Sequence, residues 1–128
     1  MEKLLLVAAG GATGAMARYW VGIQAGRLFG PGWPWGTVIV NVVGGLLMGL
    51  LIGVLAARGG ADQERWRLLL GVGVLGGFTT FSAFSLEVAL MIERRALASA
   101  FGYSILSVTL SVAALFAGLL LARKLLPV

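Results

Sequence analysis

Residues 76–85 read Gly-Gly-Phe-Thr-Thr-Phe-Ser-Ala-Phe-Ser, which sets four hydroxyl side chains among three phenyl rings. Hydroxyls donate and accept hydrogen bonds, and a phenyl ring has a positive edge. Together they can solvate an ion, but they hold no activated nucleophile or acid–base pair. The stretch is also a poor continuous helix, because Gly costs helix stability and Thr is stiff at χ1. It lies inside a segment that is otherwise apolar enough for a membrane. Backbone freed by a break at that depth is tolerated only where protein or a water-filled path satisfies it. The third helix is therefore expected to be broken at mid-membrane, at an ion or substrate site. Phe78, Phe81 and Phe84 at i, i+3 and i+6 have an ordinary reading as packing. Beside Thr79, Thr80 and Ser82 they gain a second one, ring edges presented to a small anion.

Other polar groups stand out against the apolar background. Asn41 is the only amide in an uncharged run, and its NH₂ suits an anion while its carbonyl suits a cation. A helix–helix hydrogen bond is the plain alternative. Arg18 lies well inside the first apolar segment, either in a water-filled vestibule that attracts anions or snorkelling to the interface. Glu87 is the one acid within an apolar segment, either a proton or cation site or a partner for a nearby cation. In the last segment Ser99, Tyr103, Ser104, Ser107 and Ser111 fall within an arc of about 140° at 100° per residue, with Thr109 on the other side. Such a stripe reads as a polar track for an ion, or as hydroxyls bonded to their own i−4 carbonyls.

Composition narrows the classes. The chain has no Cys and no His, which removes disulfides, Cys/His metal ligation, thiol chemistry and histidine acid–base work. Apolar residues make up 59% and charged residues 12% of the 128, and mean hydropathy is +0.98, far from the roughly 25% charged of soluble domains. The net charge of +5 is not a nucleic-acid signal, because the cations sit at segment ends where they bracket spans in a bilayer. Met1-Glu2-Lys3 lacks the basic region and cleavage site of a signal peptide, so the first segment is expected to stay.

The elements that must position these groups are four helices, at about 4–29, 37–57, 68–92 and 96–122, in one four-helix transmembrane domain over 1–128. Gly30–Gly36 is a turn whose Trp33 and Trp35 suit the interface. Glu93-Arg94-Arg95 is short enough to make helices 3 and 4 an antiparallel hairpin. Six cations (Lys3, Arg58, Arg65, Arg67, Arg123, Lys124) share one side and four (Arg18, Arg27, Arg94, Arg95) the other. So weak a bias leaves insertion in both orientations open, and opposite insertions can pair as an antiparallel dimer. Stripes at Gly22, Gly26 and Gly30 and at Gly45, Gly49 and Gly53 fit close packing within a chain or between chains. Four short helices fill their own centre, which puts a conduit at a subunit boundary.

The residues resemble a known family. Gly10-Gly11-Ala12-Thr13-Gly14-Ala15 with Arg18-Tyr19, then Gly36-Thr37 with Val40-Asn41 and Gly44, then residues 76–85, are similar to the three signature stretches of the Fluc (CrcB) fluoride channels. The resemblance implies a passive, fluoride-selective channel in the prokaryotic cell membrane that relieves fluoride toxicity. It implies an all-α, dual-topology, antiparallel homodimer with two ion pathways. Residue by residue, it assigns Asn41, Phe81, Phe84, Tyr103, Ser107 and Ser111 to the ion pathway and Arg18 to the vestibule. It assigns the main-chain carbonyls of Gly76 and Thr79 to a central Na⁺, and backbone oxygens do suit that hard ion. Ala83 departs from the family, which often has Thr there. A small dual-topology multidrug/proton antiporter is the rival reading. It needs a mid-membrane carboxylate, for which Glu87 is the one candidate.

Overall fold

The computed structural model describes residues 1–126, so the last two positions of the expected 1–128 unit lie outside the described residues. Helix α1 covers Glu2–Phe29 and helix α2 Trp35–Arg58. The third span runs Gln63–Glu93 in two parts. The first part, α3, covers residues 63–78 and the second, α4, covers Ser82–Glu93. Helix α5 covers Leu97–Leu125. The protein is all-helical, and four stretches are long and apolar enough to cross a membrane, each exceeding a core of about 30 Å at about 1.5 Å per residue.

The helices overrun the expected spans at most ends, beginning at Glu2, Trp35 and Gln63 and finishing at Leu125. A count of uncharged residues stops at the first charge, whereas Glu, Lys and Arg are good helix formers that continue the winding into the interface. The ends have local causes. Gly30 closes α1 at φ 78°, its N–H bonded to the Gly26 carbonyl at 2.9 Å. Gly59 and Gly60, at φ 61° and 103°, close α2. Within α3, residues Arg67–Leu75 wind as a π-helix. No propensity in Arg-Leu-Leu-Leu-Gly-Val-Gly-Val-Leu signals that winding.

Missing side chains set the packing. Helices α1 and α3 meet backbone to backbone: a Cβ on Gly10 would lie 2.9 Å from Gly73 Cα, and one on Gly14 would lie 2.8 Å from Phe78 N. Helices α2 and α5 do the same, since a Cβ on Gly45 would lie 2.7 Å from the Ser111 carbonyl and one on Gly118 2.8 Å from Leu50 N. The Gly45/Gly49/Gly53 stripe is thus spent within the chain. By contrast, nothing lies within 4 Å of a Cβ on Gly22 or Gly26. The α4–α5 turn forms as expected, with Arg95 at φ 60° and Ala96 N–H bonded to the Met91 carbonyl at 2.8 Å. Beyond that turn, however, α5 runs along α2.

Ion pairs from Lys3 to Glu64 and from Arg65 to Glu2 place the N-terminus and the α2–α3 loop at the same end. The buried cluster of Val38, Met91, Ala100 and Tyr103 lies towards the opposite end, under Trp33 and Phe84. Much large apolar surface stays exposed on the single chain, including Trp20, Phe101, Ile105 and Phe116. Lipid or another protein surface must cover it.

Candidate ion-binding site

Helical winding stops at Phe78 and restarts at Ser82, and Thr79 between them is extended at φ −85°, ψ 160°. What happens to the main-chain groups there follows from who bonds whom. In a continuous helix the Thr80 N–H would go to the Gly76 carbonyl and the Ala83 N–H to the Thr79 carbonyl. Instead Thr80 N–H donates to Asn41 Oδ1 at 2.8 Å, and Ala83 N–H donates to Thr80 Oγ1 at 3.1 Å. The Asn41 amide returns a bond from Nδ2 to the Thr80 carbonyl at 2.9 Å. Arg18 Nε donates to the Gly77 carbonyl at 3.1 Å. Two of the displaced carbonyls thereby gain side-chain donors. Among the described residues, those of Gly76, Phe78 and Thr79 gain none.

That residue of unsatisfied oxygens is the fit test for a cation. Main-chain oxygens without helical donors are the type of ligand that a hard ion such as Na⁺ takes. The Thr79 side chain is committed elsewhere: its hydroxyl donates to the Leu75 carbonyl at 3.0 Å and its methyl packs against Gly44. Among the described residues no group of three or more Asp or Glu side chains could hold a metal.

Two cavities flank the non-helical stretch. The inner one, about 410 Å³, is lined by Asn41, Thr79, Phe81, Phe84, Ser107 and Ser111, among others. It gathers five of the six residues expected on the ion pathway. Tyr103 does not line it; its side chain is fully buried behind the wall. The outer cavity, about 420 Å³, is lined by Arg18, Thr37 and Glu87 together with Gly22, Gly26 and the Gly30–Gly36 turn. Thr80 lines both. Gly76 lines neither.

The hydroxyls of α5 divide by environment. Ser104 donates to its own i−4 carbonyl, Ala100, at 2.7 Å, and Ser99 and Thr109 are exposed. Ser107 Oγ and Ser111 Oγ are buried with no partner among the described residues. A buried hydroxyl without a partner calls for an explanation, and these two line the inner cavity.

Glu87 is held by two hydroxyls. Its Oε1 accepts from the Tyr103 hydroxyl at 2.8 Å and its Oε2 from Thr37 Oγ1 at 3.0 Å, and no cation pairs with it among the described residues. The Phe81 and Phe84 rings lie 5.6 Å apart at 42°, and Phe81 is 75% exposed on the single chain. Phe78 is separated from them by the non-helical stretch, so the three rings do not form one helical stripe. Thr37 and Thr80 are site residues that the sequence left inside motifs without a role. Trp33, partly exposed in the α1–α2 turn, packs its ring edge-on against Tyr103.

Two cavities of mainly apolar lining, each with a few polar side chains, in an all-helical protein with four candidate membrane spans define the class of multi-pass membrane proteins. Comparison narrows the class: the chain belongs to the family described as CrcB-like protein, Camphor Resistance (CrcB), which matches residues 5–119. It is 72% identical over 128 residues, the whole of both chains, to a Caulobacter sp. (strain K31) protein described as a fluoride-specific ion channel, FluC. It is 73% identical over 124 residues, 97% of this chain and 98% of the relative, to the protein of the same description from Phenylobacterium zucineum (strain HLK1). A Mesorhizobium japonicum relative so described is 51% identical over 125 residues.

Proposed function

We propose that this chain is a fluoride-selective channel of a prokaryotic cell membrane that lets fluoride leave down its gradient. The observation that carries the reading is the pair of buried hydroxyls, Ser107 and Ser111, with no partner within the hydrogen-bond limits among the described residues, on the cavity that also holds Asn41, Phe81 and Phe84. Fluoride is small and tightly hydrated, so a path must replace its water with donors. Ser107 and Ser111 each have a hydroxyl proton to give, and Asn41 keeps one amide N–H after its bond to Thr80. Arg18 on the outer cavity favours anions at its mouth. The relatives' description as fluoride-specific channels supports the same reading.

The working unit in this proposal is an antiparallel, dual-topology homodimer whose third span is interrupted at mid-membrane. The weak cation bias and the large apolar surface left on one chain support it. Gly76 and Thr79 of both subunits would hold one Na⁺ through main-chain oxygens, and that ion would supply a fixed positive charge tying the subunits together.

The test is efflux from liposomes loaded with fluoride or chloride. Fluoride should leave rapidly and chloride poorly, with no pH gradient. Release that required a proton gradient would favour the antiporter, and equal chloride release would mean an unselective pore. Tags at Met1 should be reachable from both membrane faces, and labelling on one face alone would remove dual topology.

A further inference from the structure

Six rings run in one unbroken sequence of contacts from the end of α1 to the non-helical stretch. Phe29 meets Trp35 at 5.5 Å between centroids, Trp35 meets Trp33 at 4.8 Å, and Trp33 meets Tyr103 edge-on at 5.2 Å and 78°. Tyr103 meets Phe84 at 5.2 Å, and Phe84 meets Phe81 at 5.6 Å. Edge-to-face and offset pairs in this distance range are favourable beyond the area they bury. The chain of rings therefore links the α1–α2 turn to the phenyl rings of the inner cavity.

Trp33 is the member whose placement needs a reason. Tryptophan in an end-of-span turn ordinarily sits at headgroup level with its indole N–H in the wet layer. Here the ring is half-buried and packs on the cluster of Val38, Met91, Ala100 and Tyr103. The turn that carries it is stiff: Pro31 and Pro34 fix φ on either side, and the Trp35 N–H bonds back to the Trp33 carbonyl at 2.8 Å. Tyr103, fully buried, has its ring between Trp33 and Phe84 and its hydroxyl on Glu87. Trp33 also lines the outer cavity, where Glu87 and Arg18 stand.

We infer that Trp33 is a positioning residue for ion passage: it clamps the Tyr103 ring, and through it holds the hydroxyl on Glu87 and the Phe84 ring at the inner cavity. Trp33 itself donates nothing to the ion. The inference rests on the channel reading above, and it assigns part of the path's geometry to the turn outside the helices. Removing the clamp leaves the Tyr103 ring with Phe84 as its remaining aromatic neighbour. Losing one such ring pair should lower flux roughly three- to tenfold, which equals about 0.7–1.4 kcal/mol at about 1.4 kcal/mol per decade.

The experiment compares fluoride efflux from liposomes holding wild type, Trp33→Leu, Trp33→Phe or Trp66→Leu. Oligomeric state and thermal midpoint are measured on each protein. Wild type without fluoride release would sink the channel reading itself, independently of Trp33. With wild type active, Trp33→Leu should lose three- to tenfold while Trp33→Phe, which keeps a ring, stays within about twofold. Trp66, at the opposite end, should be replaceable without effect. If Trp33→Leu does not assemble, Trp33→Met takes its place, keeping apolar bulk without a ring. Wild-type flux without a ring at position 33 overturns the inference, as does a Phe variant as impaired as Leu. Flux loss that merely tracks a fall in thermal midpoint overturns it too, since packing alone would explain that.

Discussion

Replacing Asn41 by Ala removes both hydrogen bonds that join α2 to Thr80, at 2.8 and 2.9 Å. The Thr80 N–H and carbonyl then have no partner from α2. A buried group left unsatisfied costs about 1–3 kcal/mol, which would put the pair at about 2–6 kcal/mol. Two facts pull the figure down. Side-chain hydrogen bonds between membrane helices average only about 0.6 kcal/mol in double-mutant cycles. Thr80 also lines two cavities, so water can reach the freed groups. A loss of about 1–3 kcal/mol is the expected result. Denaturant titration in detergent would read it, and fluoride-electrode recordings on liposomes would read flux. A shift of about 1.4 kcal/mol away from the productive arrangement is a tenfold fall in flux. Asn41→Asp separates the two bonds: it retains an acceptor for the Thr80 N–H but sets a carboxylate against the Thr80 carbonyl. Its charge would also face the anion, so Asp should conduct worse than Ala even where its stability is similar. Wild-type stability and flux in Asn41→Ala would refute the whole account of how the stretch is held.

The Phe84→Ile variant should lose most fluoride flux while remaining assembled, because the ring edge goes and apolar bulk stays; unchanged efflux would make the ring a packing residue. Gly14→Ala should destabilise by about 1–3 kcal/mol, since its methyl would meet the main chain of Val74 and Phe78. Gly102→Ala, with open space around it, should be neutral, and equal melting of the two proteins would contradict the packing argument. Thr79→Ser should keep Na⁺-dependent dimer stability because the proposed ligand is main chain. Gly76→Leu should abolish that dependence, and a dimer indifferent to Na⁺ removal in wild type would count against the ion.

The sequence made four helices legible because apolar runs outlast the bilayer core, but charged residues that a hydropathy count discards carry several helices past those runs, and glycines close two of them. Asn41 was visible as the lone amide of its run. Its partner, 39 positions on, was not, because a side chain that bonds main chain leaves no pattern in composition. Glu87 was visible as the one acid of its segment, and its partners Thr37 and Tyr103, 50 and 16 positions away, were hidden by their distance in sequence. On α5 the 100° period picked out an arc of hydroxyls. It had no means of telling Ser104, which bonds its own turn, from Ser107 and Ser111, which do not. The likeness to the fluoride-channel family placed the chain in its family ahead of any of this geometry. That the Gly76 and Thr79 oxygens lose their helical donors became apparent only in three dimensions.

Among the described residues, both side chains from other helices that bond the main chain at residues 77–80 precede it in sequence: Arg18 for Gly77 and Asn41 for Thr80. Chains are synthesised and inserted N-terminus first. When the stretch from Thr79 to Phe81 leaves the ribosome, α1 and α2 already stand in the bilayer with their donors and acceptor in place. The costly exposure of free peptide groups to lipid need never occur, even briefly. The order of the helices along the gene is thus itself a chaperone, and a permuted chain with α1 and α2 last should insert poorly although its finished contacts would be identical.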